Sequence, residues 1–285
     1  MVDTRRLEQL VRSRGDAGRP ARRGGRQLSG SVTRIPSPGA RSARHADALN
    51  ASWATLRVAQ PVPASRSRSA LSRTIESAAE VADSVDMLRA QLLQALRTRG
   101  WRSIGVTAPV RGCGASFISA ALAQSFARLT NVRTVLLDLD LEQGGLGDAF
   151  GLMPDGRITD MIAGDVLPEE HLCRLGGNLA LGLTLPCRDG RATLFENGAF
   201  SETMDEIWHE YRPDVILCDL PPLLTGDSTI AALPNLDGVL VVADGTRTQA
   251  RDLHECERLL QERTQLLGVV LNKGRARRPA SAMPR

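Results

Sequence analysis

The sequence predicts an α/β fold in which a mostly parallel sheet carries helices on both faces. Three observations support this prediction: short, nearly all-apolar runs, helical stretches that alternate with them, and polar loops that follow the runs. Such runs are typical of strands buried on both sides, as in parallel sheets covered by crossover helices. Ligands of these sheets bind at the carboxyl ends of the strands, so we expect the functional site in those loops.

The predicted elements begin with an amphipathic helix at about 77–98, which ends near Gly100. Its apolar residues recur at three- and four-residue spacing; they are Val81, Val85, Leu88, Leu92 and Leu96. Six apolar runs are predicted as strands, at 103–107, 134–137, 179–185, 214–218, 238–243 and 267–271. Helices are predicted at about 116–129, 158–163, 192–210, 226–232 and 248–264.

Charge divides the chain into three parts. Of the 285 residues, 1–75 contain 15 Arg and four acids, whereas the remainder contains 21 basic and 28 acidic residues. The first part is also rich in Ser, Gly, Ala and Pro, so we predict a basic, largely disordered arm with a short helix around 4–13. A folded domain over 76–273 and a basic tail over 274–285 complete the predicted organisation.

Several functional classes are excluded by composition. No apolar run reaches the length of a membrane span, and none follows a basic amino terminus as in a secretory signal. We therefore expect a cytoplasmic protein. The five cysteines show no metal-ligand spacing and are expected to be reduced thiols. The four histidines have no Ser or Cys partner in a recognisable nucleophile motif, so a hydrolase with a catalytic triad is not expected.

The loop after the first predicted strand of the domain is a candidate phosphate-binding loop. It reads TAPVRGCGASF from Thr107 to Phe117 and leads into a helix, whose amino terminus attracts anions. A P-loop reads G-x-x-x-x-G-K-[ST], and Gly114 and Ser116 fit this pattern. Pro109 stands near the position of the first glycine, and Ala115 stands at that of the lysine. Taken alone, the loop is equally consistent with a plain strand–helix turn.

Carboxylates follow two further strands. Asp138 and Asp140 end one apolar run, and side chains two residues apart in a strand lie on the same side. Such a pair can hold Mg²⁺ or position a nucleophile. Asp219 ends another run and precedes Leu-Pro-Pro, which is the Walker B pattern. Each aspartate alone is also consistent with capping or turn formation, but three polar loops at one sheet edge favour a site.

Together these motifs resemble the bacterial tyrosine kinases (BY-kinases) of capsule and exopolysaccharide systems, within the MinD/ParA-like group of deviant P-loop proteins. The resemblance covers about 76–273 and is most specific over 215–273. That stretch contains Asp-x-Pro-Pro, Gly-Asp before a helix, Leu-Asp-Gly-Val-Leu-Val-Val and Gly-Val-Val-Leu-Asn. The resemblance implies a P-loop NTPase-like fold with ATP and Mg²⁺ as cofactors.

The resemblance also implies residue roles. The nucleotide would be bound by Arg111, Gly112, Cys113, Gly114, Ala115, Ser116 and Phe117, with Asn272 at the adenine base. The metal would be held by Ser116, Asp138 and Asp219. Asp140 would activate the accepting hydroxyl. Arg111 is not a residue of the family pattern; it is the candidate catalytic cation because it lies inside the loop and could reach the β- and γ-phosphates, although its planar guanidinium is not equivalent to an ammonium group.

The chain departs from the kinases at several positions. Ala115 replaces the loop lysine, and Val110 occupies the extra lysine position of the MinD/ParA pattern. Because Lys273 is the only lysine, we expect no neighbouring ammonium group to replace it. Glu142 stands where the kinases usually have Arg. The oligomerisation motif E-x-x-R-x-x-R aligns with Asp83, Asp86 and Arg89, and the sole tyrosine is Tyr211 rather than a tyrosine-rich tail.

We therefore expect a BY-kinase-like P-loop protein of exopolysaccharide or capsule biosynthesis or export, acting as a nucleotide-responsive regulator with impaired phosphotransfer. The implied partner is a membrane-embedded chain-length or export protein on a separate chain, at the inner face of the cytoplasmic membrane. The basic arm is a candidate contact to anionic lipid. A homo-oligomer is left open, and nucleic acid is not expected as a partner.

Two alternatives remain at this stage. One is an active tyrosine kinase or ATPase whose site is completed by Arg111 or by a partner. The other is a MinD/ParA-like positioning or scaffold protein of the kind used in pilus or secretion systems.

Overall fold

The computed structural model describes residues 51–59, 79–187 and 191–274, and within them eight strands form one sheet. The strands are β1 (Arg57–Val58), β2 (Ser103–Thr107), β3 (Thr134–Asp138), β4 (Cys173–Leu175), β5 (Leu179–Gly182), β6 (Val215–Asp219), β7 (Gly238–Asp244) and β8 (Gln265–Asn272). Their order in the sheet is β1-β4-β5-β3-β6-β2-β7-β8. The β4–β5 pair is antiparallel, and the other pairs are parallel. The predicted fold class is thus confirmed.

Helices of the described residues connect these strands. They are α1 (Ala79–Arg99), α2 (Ala115–Ala127), α3 (Leu146–Phe150), α4 (Ile158–Ile162), α5 (Pro168–His171), α6 (Arg191–Glu196), α7 (Ala199–Tyr211), α8 (Asp227–Ala232) and α9 (Ala250–Gln261). A 3₁₀ turn over Leu233–Asn235 follows α8.

The sheet is buried on both faces because consecutive side chains of its central strands enter two separate apolar cores. In β3, Val135 and Leu137 pack in the core that includes α7, whereas Leu136 packs in the core that includes α1 and α2. Strands buried on both sides must be apolar at every position, which explains the unbroken apolar runs of the sequence.

Several predicted elements are corrected by the structure. The single helix predicted at 192–210 is two helices, α6 and α7, separated at Gly198, whose φ of +87° no helix interior adopts. The strand predicted at 179–185 ends at Gly182. The short strands β1 and β4 at the edge of the sheet escaped prediction, because each has only two or three residues.

Residues 51–59, which lie before the predicted boundary at residue 76, are part of the described fold. They form a helical turn and strand β1, and Trp53 and Leu56 are only 3% and 2% exposed. These two large apolar side chains bury enough surface to anchor this short segment on the sheet. Most of the predicted arm, the helix predicted around 4–13 and most of the predicted tail lie outside the described residues. Among those described, no helix is both long and apolar enough to cross a bilayer.

Candidate nucleotide-binding site

The predicted polar loops meet at one edge of the sheet. Strand β2 lies between β6 and β7, and β3 lies on the far side of β6. Asp138 pairs with Asp219 in the parallel register of β3 and β6, and Asp244 pairs with Asn272 in that of β7 and β8. The carboxyl ends of five strands therefore surround the loop that follows β2.

The loop between β2 and α2 has the backbone of an anion-binding loop. Gly112 and Gly114 adopt φ values of +83° and +100°, which side chains disfavour, and α2 begins at Ala115 without a side-chain cap. The start of the loop is held by the Asp219-Leu-Pro-Pro segment, since Leu223 N–H donates to Ala108 O at 2.8 Å. The positive end of the α2 dipole consequently faces this sheet edge.

Asp138 and Asp219 form a buried carboxylate pair at neighbouring strand ends. Both side chains are 0% exposed. Ser119 donates its hydroxyl to Asp219 Oδ1 at 2.8 Å, and Leu146 N–H donates to Asp138 Oδ2 at 3.1 Å. Within the described residues, Asp138 Oδ1 and Asp219 Oδ2 are buried without a hydrogen-bond partner. Such an arrangement costs free energy unless a cation or a proton compensates it.

The electrostatics of the pair follow from its burial. Desolvation raises the pKa of Asp219 to about 7, although the adjacent hydroxyls of Ser116 and Ser119 lower it in part. Burial, followed by the charge of Asp219, likewise raises the pKa of Asp138 well above its usual value. A divalent cation would relieve this destabilisation of both ionised carboxylates.

The donor set fits Mg²⁺ bound together with a phosphate. Among the described residues, no group of three or more His, Cys, Asp or Glu is arranged to hold a metal alone. Mg²⁺ commonly binds through one or two carboxylates and the phosphates of a nucleotide, and keeps several waters. Asp219, which lies next to the Ser116 hydroxyl, and Asp138, its paired residue on β3, each offer one oxygen without a partner among the described residues, which matches that requirement.

Asp140 binds Arg111, and its charge also acts on the buried pair. The Arg111 guanidinium donates to Asp140 Oδ2 at 2.8 Å and to Glu142 Oε2 at 2.5 Å. These two carboxylates neutralise the one cation that the phosphate loop carries in its own sequence. Glu142, which replaces the arginine usual in the kinases, thus contributes to holding Arg111.

The other end of the site is formed by the residues that follow β8. Asn272 Nδ2 donates to Cys113 O at 2.9 Å, and the ammonium group of Lys273 donates to Gly112 O at 2.6 Å. The expectation that no ammonium group neighbours the loop is therefore wrong. Lys273 is distant in sequence, and only the pairing of β8 with β7 brings it to the loop.

Asp244 is a site residue that the sequence reasoning missed. It ends β7, is 1% exposed, and accepts hydrogen bonds from Lys273 Nζ at 3.0 Å and Arg247 Nε at 3.1 Å. Hydrogen bonds from Thr246, followed by those from Lys273 and Arg247, hold the pKa of Asp244 well below its usual value. The signal was the same one that identified Asp219, a carboxylate directly after an apolar run.

The positions aligned with the oligomerisation motif make contacts within the chain. Asp86 of α1 binds Ser125 and Arg128 at the end of α2, and Arg89 donates to Ser125 O at 3.1 Å. These contacts attach α1 to the helix that follows the phosphate loop. Asp86, which stands where the motif has an arginine, therefore binds groups of its own chain.

Comparisons with known proteins agree with this geometry. No family model matches the chain. A protein of Ralstonia nicotianae named "Putative tyrosine-protein kinase EpsB" is 30% identical over 192 residues, which are 67% of this chain and 25% of that protein. This chain spans about a quarter of the length of the curated relatives it matches.

Solved structures share the fold at low sequence identity. The kinase domain of the Escherichia coli tyrosine kinase ETK aligns with a TM-score of 0.65 at 18% identity, covering 80% of this chain and 93% of that domain. The BceF tyrosine kinase domain aligns with a TM-score of 0.62 at 19% identity, covering 76% and 91% of the two chains.

The fold and the loop geometry define a P-loop NTPase-like protein of the mostly parallel α/β class. Within that class, its homologues carry the name of tyrosine-protein kinases, and its structural neighbours are bacterial tyrosine kinase domains. The resemblance predicted from the sequence is thereby confirmed.

Proposed function

We propose that this chain is a nucleotide-responsive regulator of the BY-kinase-like group, with weakened phosphotransfer, that acts in exopolysaccharide or capsule synthesis or export. One observation carries the proposal: two buried, unpartnered carboxylate oxygens lie beside a phosphate-type loop that lacks its lysine. The kinase names of its homologues support the biological setting.

Different residues would bind the phosphates, the metal ion and the base of the nucleotide. Backbone N–H groups from Gly112 to Phe117 and the α2 dipole would receive the phosphates of ATP. Ser116, Asp138 and Asp219 would hold Mg²⁺, and Asn272 would lie near the base. When bound, Mg²⁺ neutralises phosphate charge and orients the terminal phosphoryl group. Asp138 and Asp219 would then be ionised, with their charge compensated.

Weak phosphotransfer follows from the cations at the loop. Ala115 supplies no ammonium group at the usual loop position, Arg111 is held by Asp140 and Glu142, and Lys273 is held by Asp244. Loss of one transition-state donor typically lowers a rate by about 10²–10³-fold. Binding tolerates the same loss better, because the loop backbone and the metal contribute independently. A regulator needs only the binding.

The proposed partner is a membrane-embedded polysaccharide chain-length or export protein on a separate chain. With this partner, the protein would act at the inner face of the cytoplasmic membrane. The arginine-rich arm supports that location, since each Arg near an anionic surface contributes about 1 kcal/mol.

Calorimetric titration of the full chain with ATP and Mg²⁺ tests the proposal. We expect micromolar binding that weakens about tenfold or more in Asp219→Asn, because the variant removes a charged ligand. Asp214→Asn is the matched control, since Asp214 is exposed and immediately precedes the amino end of the same strand, away from the candidate site. Absence of binding at millimolar ATP would contradict the proposal.

A second candidate, an active kinase or ATPase, is favoured by one contact. The Arg111 guanidinium lies 2.8 Å from Asp140, so a cation and a candidate base are already adjacent. Phosphate release above background, lost in both Arg111→Ala and Asp140→Ala, would establish this function instead.

A further inference from the structure

Lys273, the only lysine of the chain, contacts the loop between β2 and α2, whose own sequence contains no lysine. Lys273 Nζ donates to Gly112 O at 2.6 Å and to Asp244 Oδ2 at 3.0 Å. Its side chain is 46% exposed, so the ammonium group lies on the open side of the loop. Of its three N–H bonds, these contacts use two, which leaves one for a further acceptor.

The backbone around Lys273 directs the side chain to this position. Lys273 adopts a φ of +56°, a conformation uncommon for residues other than glycine. The backbone N–H of Lys273 donates to Asn272 Oδ1 at 2.9 Å, which stabilises this conformation. The side-chain amide of Asn272 in turn donates to Cys113 O. Two consecutive side chains at the end of β8 are thereby attached to consecutive carbonyls of the loop.

The charges around Gly112 are unequal on its two sides. Arg111 is matched by two carboxylates, Asp140 and Glu142. On the other side, Lys273 and Arg247 share the single carboxylate of Asp244. Arg247 also lies against the loop, since a Cβ built on Gly112 would be 2.9 Å from Arg247 Nη2. The side formed by β7 and β8 therefore carries an excess of positive charge that an anion would balance.

We propose that Lys273 supplies, from the end of β8, the ammonium group that the loop lacks at Ala115, and that it binds the phosphates of the nucleotide. This inference rests on the proposed nucleotide-binding function and adds to it the residue that replaces the loop lysine. Asp244 acts as the positioning residue that holds the ammonium group beside Gly112. The phosphate oxygen accepts a hydrogen bond, and no covalent step is involved.

Calorimetric titrations of the full chain with ATP·Mg²⁺ and with adenosine test this inference. Lys273→Met keeps the apolar length of the side chain and removes its charge. We expect this variant to bind ATP about 10–100-fold more weakly and adenosine within twofold of the unsubstituted chain, since a charged hydrogen bond to phosphate is lost. Arg263→Met is the control, because Arg263 follows α9 at the opposite edge of the sheet.

A second variant separates phosphate binding from a structural role in the loop. Ala115→Lys combined with Lys273→Met returns an ammonium group to the usual loop position, and we expect it to recover at least tenfold of the lost ATP affinity. Equal losses for ATP and adenosine, or no recovery in the double variant, would overturn the inference. So would unchanged ATP binding by Lys273→Met.

The outcomes also separate this inference from the proposed function. If the unsubstituted chain binds no ATP, the proposed function fails and this inference fails with it. If that chain binds ATP and Lys273→Met binds equally well, only the role of Lys273 fails.

Discussion

Asp138 and Asp219 are buried in a way that favours the binding of a cation or a proton. Each carboxylate is fully buried, and each keeps one oxygen without a partner within the described residues. Burial of an unpaired charge costs several kcal/mol, which the group avoids by taking up a proton or a cation. Burial raises the pKa of Asp219 to about 7, so protonation of this carboxylate is the alternative to binding a metal.

This alternative predicts a pH dependence of stability in the absence of Mg²⁺. The pKa of Asp219 is about 7 in the folded chain and near 3.8 when unfolded. Between these values the native state binds more protons than the unfolded state, so stability falls as pH rises. We expect the free energy of unfolding to fall by about 1–4 kcal/mol from pH 4 to pH 8, as measured by urea denaturation in EDTA.

The variant Asp219→Asn provides the comparison. Since asparagine does not titrate, its stability should change less over the same pH range, and the two curves should diverge towards pH 8. Parallel curves for the variant and the unsubstituted chain would refute this origin of the pH dependence.

At the scale of elements, the phosphate loop depends on the strand ends around it. Gly114 immediately precedes α2, and a Cβ built on it would lie 2.2 Å from Asn272 Nδ2. Two features therefore require glycine at this position: its positive φ, and the close approach of the Asn272 amide, which leaves no room for a Cβ atom. Loop conformation and the end of β8 are consequently coupled.

We predict that Gly114→Ala lowers the free energy of unfolding by about 1–3 kcal/mol and also weakens ATP binding. The added methyl group displaces the Asn272 amide from Cys113 O. The matched control is Gly164→Ala, because Gly164 has a φ of +80° but nothing within 4 Å of a built Cβ. Chemical denaturation and ATP titration of both variants measure the difference, and equal stability losses with unchanged ATP binding would disprove the coupling.

At the scale of the whole molecule, the position of the sole tyrosine excludes it as an accessible phosphate acceptor. Tyr211 ends α7, is 1% exposed, and packs edge-on against Trp53 with 6.4 Å between ring centroids. Burial, together with nearby glutamates, raises its pKa far above its usual value. Residues 51–59 thus contribute to the burial of the Tyr211 ring through Trp53.

We predict that the full chain forms no phosphotyrosine when it is incubated with ATP and Mg²⁺. Immunoblotting with a phosphotyrosine antibody measures this, and a phosphorylated peptide serves as the positive control. A signal that disappears in Tyr211→Phe would show instead that α7 opens far enough to expose the hydroxyl.

Much of the fold and part of the site could be predicted from local patterns. Strand β2 was located at its observed bounds, and Asp138 and Asp219 were placed correctly at strand ends. This succeeded because a doubly buried strand must be apolar throughout, and because parallel strands bring their carboxyl ends to one edge. The break at Gly198 and the two-residue strand β1 were missed, since neither changes the apolar periodicity over a sufficient length.

Local sequence patterns are sufficient to predict the class of fold, to locate a candidate phosphate loop and to show that this loop contains no lysine. The three-dimensional packing, in contrast, determines which groups distant in sequence contact that loop. Lys273 and Gly112 are 161 residues apart, and their contact depends on the order of β2, β7 and β8 in the sheet. Local patterns determine where a strand begins and ends, whereas the packing of all the strands selects its neighbours and the side chains at the shared edge.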